Sequence, residues 1–243
     1  MKHLAVSLAF LLAGTAHAQA LQCHVPLQVE APALPTPDGP RRIVPIQGYT
    51  LALSWSPEFC KNHRDDPASA TQCSGRMGRF GFILHGLWPE GSNGNWPQWC
   101  AAKPVEAEVV RRNLCLTPSP QLIVHEWAKH GSCMARTPDR YFRAGSALMR
   151  SLAFPDMARL SRQDGLTAGD LRKAVHETTP FLPSEAMRVK ANPRGWLQEV
   201  HVCYGRDFFP TPCADAGLAD DAPLKIWRSF NGPRTGDTRP YRN

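Results

Sequence analysis

Phe82-Ile83-Leu84-His85-Gly86-Leu87-Trp88-Pro89 opens on three apolar residues and runs straight into a histidine. Read back to Arg79, the apolar run predicts a strand over 79–84. A histidine placed directly after such a strand is carried on a rigid edge, and the following glycine leaves space beside its ring. Upstream, Tyr49, Leu51, Leu53 and Trp55 alternate with Thr50, Ala52 and Ser54, which is the period of another strand. The polar stretch between them, bounded by Cys60 and Cys73, reads as a loop, and 91–97 as a turn-rich segment of Gly, Asn and Trp. Downstream, helical spacing covers 104–113, with Pro104 at a permitted early position. Ser119-Pro120 forms a cap and first residue for a helix that continues through His130 and stops at Gly131. Thr137-Pro138-Asp139 starts a longer helix to Leu152, whose apolar side is Phe142, Leu148, Met149 and Leu152, and a shorter helix covers 167–175. Strands follow over 186–190 and 196–204, and Leu197, Glu199, His201 and Cys203 fall on one face of the second. Early strands, then helices, then late strands indicate one α+β domain rather than alternating βαβ units.

The chain has 243 residues, 42% of them apolar, enough for a sizeable core and unlike collagenous or disordered sequences. Twenty-eight Lys and Arg against 21 Asp and Glu leave a net charge of +7, which suits a polyanionic partner without identifying one. Met1-Lys2-His3, the apolar run Leu4 to Ala13 and Ala16-His17-Ala18 have the three-part layout of a secretory signal peptide over 1–18. That run is far short of the ~20 residues a membrane-spanning helix needs, so no membrane association is expected. Residues 19–45 are Pro-rich and aperiodic, an extended N-terminal arm that Cys23 pins to the body, and 46–243 form the single domain. Export, secreted or periplasmic, makes disulfides the natural state of the eight Cys; spacing alone leaves about 105 pairings open.

A second segment, His125-Glu126-Trp127-Ala128-Lys129-His130-Gly131-Ser132-Cys133, places four titratable side chains on one short helix. Glu126 and His130 are four apart and share a face, as do His125 and Lys129. Such a cluster is costly unless solvated or used together. The nearest chemical rival is a zinc hydrolase bearing His-Glu-x-x-His. Here the second His comes one place late, so at about 100° per residue it is turned ~140° from the first and the two cannot share a metal. No metal and no cofactor are expected. A Cys-His protease is weaker still, because each Cys has a partner to bond in an oxidising compartment.

Together the two segments resemble the two active-site motifs of the ribonuclease T2 family, secreted enzymes that cleave RNA with little base specificity. The likeness extends through Leu51 to Cys60 and the Cys203 to Cys213 region, and so spans most of the chain after its first 18 residues. It implies an antiparallel sheet packed against several helices, stapled by disulfides, with RNA as substrate, no metal and no obligate protein partner. It also implies that His130 is the base and His85 the acid, roles that the sequence alone does not assign. Lys129 would stabilise charge on the phosphate, Glu126 would orient groups or donate a proton, and His125 would bind phosphate. Trp88 and Trp96, which flank the Gly/Asn loop, would stack on bases, and Glu90 would meet a base edge. The chain departs from the family in Leu122-Ile123-Val124, where aromatics are common, and in Glu90, where Asp is common; both positions bear on base recognition more than on bond cleavage. The resemblance supports Cys100–Cys133 and Cys203–Cys213, with Cys60–Cys73 closing a local loop and Cys23–Cys115 as the remainder. The expected reaction is attack of the ribose 2′-OH on its own phosphate, leaving 2′,3′-cyclic phosphate ends. The alternative is a non-catalytic secreted protein on the same fold that binds RNA or a host surface, a role with no need of this set of acid, base and cation.

Overall fold

Leu51 and Leu53, alternating with Thr50, Ala52 and Ser54, build β1 (Gly48–Trp55) in the computed structural model, which describes residues 23–228. β1 lies inside an antiparallel sheet of order β2-β1-β4-β3, formed with β2 (Phe82–Glu90), β3 (Met187–Ala191) and β4 (Leu197–Gly205). Helices α1 (Ser56–His63) and α2 (Ala70–Cys73) separate β1 from β2. Helices α3 (Ala107–Asn113), α4 (Pro120–Lys129), α5 (Pro138–Ser151), α6 (Met157–Leu160) and α7 (Ala168–Thr178) fill the span before β3. The fold is therefore α+β. The export signal expected over 1–18 lies outside the described residues.

One face of the sheet supplies the core. Leu51, Leu53, Leu84 and Leu87 share a buried cluster with Val109 and Val110 of α3, Ile123 of α4, Phe142 and Met149 of α5 and Leu171 of α7. Each such side chain contributes roughly 1.5–3 kcal/mol by leaving water. Leu148, expected on the apolar side of α5, is only half-buried at the margin of that cluster. Gly145 lets α5 approach β2 closely, since a Cβ there would lie 3.2 Å from Leu84 Cδ2.

Local chemistry sets the helix starts. Ser119 Oγ accepts from Leu122 N (3.2 Å) and Pro120 occupies the first turn, so α4 begins where the missing proline donor is harmless. Thr137 caps α5, and Thr167 with Asp170 forms a capping box on α7.

Three expectations require correction. The strand predicted over 79–84 instead runs from Phe82 to Glu90, so His85 sits within it rather than past its end. The pairing Ala52↔Gly86 is followed by Leu53↔Leu84, which leaves His85 as the extra residue of a β-bulge. β2 is an edge strand, so Pro89 leaves no ladder bond unmade. The outer edge of β2 is covered instead, by Leu84 N donating to Leu116 O (2.8 Å), Thr117 Oγ1 to Leu84 O (2.7 Å) and Leu87 N to Tyr141 Oη (3.1 Å). Second, the polar loop between Cys60 and Cys73 is largely helical. Ser56-Pro57-Glu58 starts α1 in the manner of a first turn, but α1 lacks an apolar stripe, so periodicity does not reveal it. Third, the helix predicted from Pro104 starts at Ala107; Glu106 is extended and Val105 is buried against the core ahead of it.

The disulfides are Cys23–Cys115, Cys60–Cys73, Cys100–Cys133 and Cys203–Cys213. Cys100–Cys133 ties the segment after β2 to the turn that ends α4. From Cys23 onward the arm runs across the body, its described residues outside any helix or named strand, held by Cys23–Cys115, by His24 N donating to Met77 O (2.7 Å), and by a two-way backbone pairing of Arg42 with Gln98.

The Cys23–Cys115 bond closes a 92-residue separation and is expected to stabilise the fold by about 2–4 kcal/mol. Replacing both cysteines with serine should lower the urea unfolding midpoint accordingly without changing the far-ultraviolet circular dichroism of the native protein. An unchanged midpoint would mean that the arm contributes nothing to the body's stability.

Candidate active site

The other face of the sheet is polar. Cross-strand pairing aligns Thr50 with Trp88 and Cys203, Ala52 with His201, Ser54 with Glu199 and Gly48 with Glu90. The bulge adds His85 to this face. Trp88 sits in the middle, its indole 5.2 Å from the His85 ring, 5.1 Å from His201 and 5.5 Å from His130, centroid to centroid.

α4 brings the remaining groups. It divides as the helical spacing predicts: Glu126 and His130 turn toward Trp88, while His125 and Lys129 face the arm. Glu126 is 2% exposed, its Oε2 accepting from Trp88 Nε1 (2.7 Å) and its Oε1 3.5 Å from His85 Nε2. His130 is 8% exposed, and among the described residues its Nδ1 has no hydrogen-bond partner. Lys129 Nζ meets Asp38 Oδ2 of the arm at 2.7 Å, and Trp99 Nε1 donates to Asp38 Oδ1 (3.2 Å). His125 lies edge-on to Trp99, ring centroids 5.6 Å apart.

The environments drive these groups apart. Burial pushes the Glu126 carboxyl up to about 7, with His85 and the Trp88 N–H opposing only part of the rise. Burial, then the charges of Lys129 and His125, holds the His130 imidazole down to about 3, so it is neutral over the physiological range. Burial also presses the His85 value down, but the Glu199 hydrogen bond and the charges of Glu126 and Glu199 outweigh it, and the net shift is upward. His125 is lowered by burial and by Lys129. The Asp38 carboxyl is lowered, first by its hydrogen bond from Lys129.

Of the residues expected to contact bases, Trp88 is the hub of the cluster. Trp96 is 40% exposed, with the Arg42 guanidinium 5.1 Å from its ring centroid and its Nε1 donating to Gln98 Oε1 (3.1 Å). Glu90 accepts from Thr50 Oγ1 (2.7 Å). Trp127, by contrast, is buried, with its N–H donating to Lys103 O (2.8 Å). Among the described residues no group of three or more His, Cys, Asp or Glu side chains is arranged to hold a metal ion.

Sequence reasoning gave no role to two carboxylates that touch the cluster. Glu199 Oε1 lies 2.7 Å from His85 Nδ1, and Glu199 Oε2 lies 2.8 Å from His201 Nε2. The signal was an acid and a histidine two apart on one face of β4. Asp38 carries no comparable signal, because nothing local in a Pro-rich arm says where that arm docks.

The sequence profile of the Ribonuclease T2 family matches residues 46–211. A protein of Aeromonas hydrophila named "Ribonuclease" is 35% identical over 166 residues, which cover 65% of this chain and 72% of that protein. A "Probable ribonuclease" of Haemophilus influenzae is 29% identical over 180 residues, covering 70% of this chain and 61% of the relative's length. Among solved structures, an RNase-related protein from Calystegia sepium superposes with a TM-score of 0.58 at 20% identity, over 75% of this chain and 98% of that one. RNase NT in complex with 5′-AMP gives 0.57 at 19% identity, with the same coverage.

Gly86 is the position on which the cluster closes: a Cβ there would overlap the Glu126 carboxylate and come within 2.7 Å of Trp88 Nε1. Gly86→Ala should therefore displace Glu126 and cost about 1–3 kcal/mol of stability through overpacking. Denaturant unfolding followed by Trp fluorescence measures both effects. A variant with wild-type stability and spectrum would show that Glu126 does not need this space.

Proposed function

Because this chain belongs to the ribonuclease T2 family, we propose that it is an endoribonuclease cleaving single-stranded RNA by transphosphorylation. The observation that carries this reading is the placement of two histidines around one indole, the His85 and His130 rings 5.2 and 5.5 Å from Trp88 with Glu126 beside His85, in surroundings that raise the first and lower the second. RNA contains its own nucleophile, so the protein needs one base, one acid and a means of holding charge on the phosphoryl group. His130, held neutral by burial and the nearby cations, takes the 2′-OH proton as the 2′-oxygen attacks phosphorus. His85, protonated, gives its Nε2 proton to the departing 5′-oxygen as the P–O5′ bond breaks. The product on the 5′ side ends in a 2′,3′-cyclic phosphate.

Lys129 stabilises the phosphorane charge. That its ammonium and Trp99 Nε1 already hold the Asp38 carboxylate supports this role, since a phosphate presents the same paired anionic oxygens. Glu126, titrating near 7, donates a hydrogen bond to a phosphoryl oxygen when protonated, and His125 binds phosphate. Trp88 orders the cluster and lends an edge to a base. Trp96 offers an exposed ring to a neighbouring base, and Glu90 a carboxylate to a base edge. No step calls for a metal or a cofactor. We place the protein outside the cytoplasm, periplasmic or secreted. The signal-like residues 1–18 support this, as does the pairing of all eight Cys. On this reading the arm over 19–45 precedes a single catalytic domain over 46–243.

His85→Ala and His130→Ala should each reduce turnover by orders of magnitude in folded protein, because each moves a proton in the bond-changing step. The profile of kcat/KM against pH on a dinucleotide should fall on the acid side as His130 gains a proton, near pH 3. It should fall on the alkaline side, first near pH 7 as Glu126 gives up its proton and then above the usual histidine value as His85 gives up its own. Activity still rising at pH 9 would contradict these assignments.

DNA offers no 2′-OH. Single-stranded DNA and 2′-O-methyl RNA should resist cleavage while competing with RNA, and cyclic phosphate ends should appear before any 3′-phosphate, with or without chelator. DNA cut at a comparable rate, or 5′-phosphate products lost on adding chelator, would mark a metal nuclease instead.

A further inference from the structure

We propose that Glu199 is the positioning residue for the acid: with Ser54 and His201 it fixes the tautomer, orientation and charge of His85. The proposal rests on the assignment of His85 given above. It follows from a count of protons. Ser54 Oγ donates its one proton to Glu199 Oε1 (2.9 Å) and also lies 3.1 Å from His85 Nδ1. With that proton committed, Ser54 meets Nδ1 with a lone pair. Glu199 Oε1, 2.7 Å from the same Nδ1, is an acceptor too. Two acceptors facing one ring nitrogen require that nitrogen to carry hydrogen. Neutral His85 is therefore the Nδ1–H tautomer, and Nε2, 3.5 Å from Glu126 Oε1, bears a proton only in the imidazolium. The proton at Nε2 is then the mobile one, and it points toward the side of the site where Glu126 and Trp88 lie.

Glu199 is suited to remain charged. Burial works against its ionisation, but donors from His201 and His85 hold its carboxyl well below the usual carboxylate range. Lys190 Nζ of β3 stands 3.4 Å from its second oxygen, and His201, which donates Nε2–H to that oxygen, is kept neutral mainly by burial. The charged and titratable groups around His85 are thus Glu199 and His201 of β4, Lys190 of β3, and Glu126, with His125, Lys129 and His130 beyond it, on α4. Glu126 and Glu199 favour the imidazolium, and Lys190 opposes it. In the reaction the imidazolium loses its Nε2 proton to the 5′-oxygen, the Nδ1–H stays on Glu199, and no proton passes to the carboxylate.

Glu199→Gln keeps size but removes the charge and turns one of the two accepting oxygens into a donor. It should lower kcat on a dinucleotide about ten- to a hundredfold, a part of the ~10²–10⁴ that a positioned acid supplies. KM should be nearly unchanged, and the alkaline limb of the pH profile should move to lower pH. The loss should largely vanish on a uridine 3′-(p-nitrophenyl phosphate) substrate, whose leaving group departs without protonation. A merely structural defect would slow both substrates alike, and that result would overturn the proposal. If His85→Ala is inactive while Glu199→Gln keeps wild-type rates and pH profile, the role of Glu199 alone falls. If His85→Ala keeps full activity, the assignment of the acid falls with it. Nitrogen chemical shifts of His85 in the unmutated protein above its pKa supply a test that needs no variant: Nδ1–H is expected, and Nε2–H would refute the tautomer.

Discussion

The carboxyl of Glu126 occupies the space that a side chain at position 86 would fill, and the site is arranged around that contact. Such close approach of α4 to β2 demands glycine on the strand, a helix start that brings Glu126 round to the right turn, and a neighbour able to hydrogen-bond a buried acid. Gly86, the Ser119-Pro120 cap and the Trp88 N–H meet those three needs. The Cys100–Cys133 bond then holds the end of α4 beside the chain that leaves β2. Once Glu126 is dry, its ionisation becomes costly and its carboxyl titrates near neutrality.

On the polar face of the sheet two carboxylates flank one imidazole under different conditions. Glu199 receives donors from His85, Ser54 and His201 and stays charged. Glu126 has the Trp88 N–H and the edge of His85. The histidines divide in the same way. His85 lies between the carboxylates and is raised; His130 is buried near Lys129 and His125, without a carboxylate partner of its own, and is lowered. Groups of one chemical type are thereby pushed to opposite protonation states within a few ångströms, the arrangement that acid–base chemistry near neutral pH requires.

The arm is part of this electrostatics. Cys23–Cys115 anchors one end, and the pairing of Arg42 with Gln98 anchors the other beside Trp96. Asp38, between these anchors, reaches Lys129 and Trp99. Under the proposed function a substrate phosphate and the Asp38 carboxylate would compete for one ammonium group.

How much of this was legible in the sequence follows from the range of the physics involved. Helix starts at Ser119, Thr137 and Thr167, the α4 faces carrying Glu126 with His130 and His125 with Lys129, and the alternation in β1 all depend on neighbours within a few residues, so residue order determined them. The bulge at His85 did not show, because a bulge is a relation between two strands and Leu53 had first to pair with Leu84. α1 did not show, because its helicity rests on docking rather than on an apolar stripe. Glu199 stood in plain view on β4, but its bond to His85 exists only because β1 places Ser54 between strands 114 residues apart in the chain. Asp38 is more remote from Lys129 in kind, a polar residue in an aperiodic arm. Short-range spacing thus determined which side chains shared an element. Only the packed sheet, by bringing distant segments within hydrogen-bond reach and excluding water from some of them, decided which shared a proton and which carried charge.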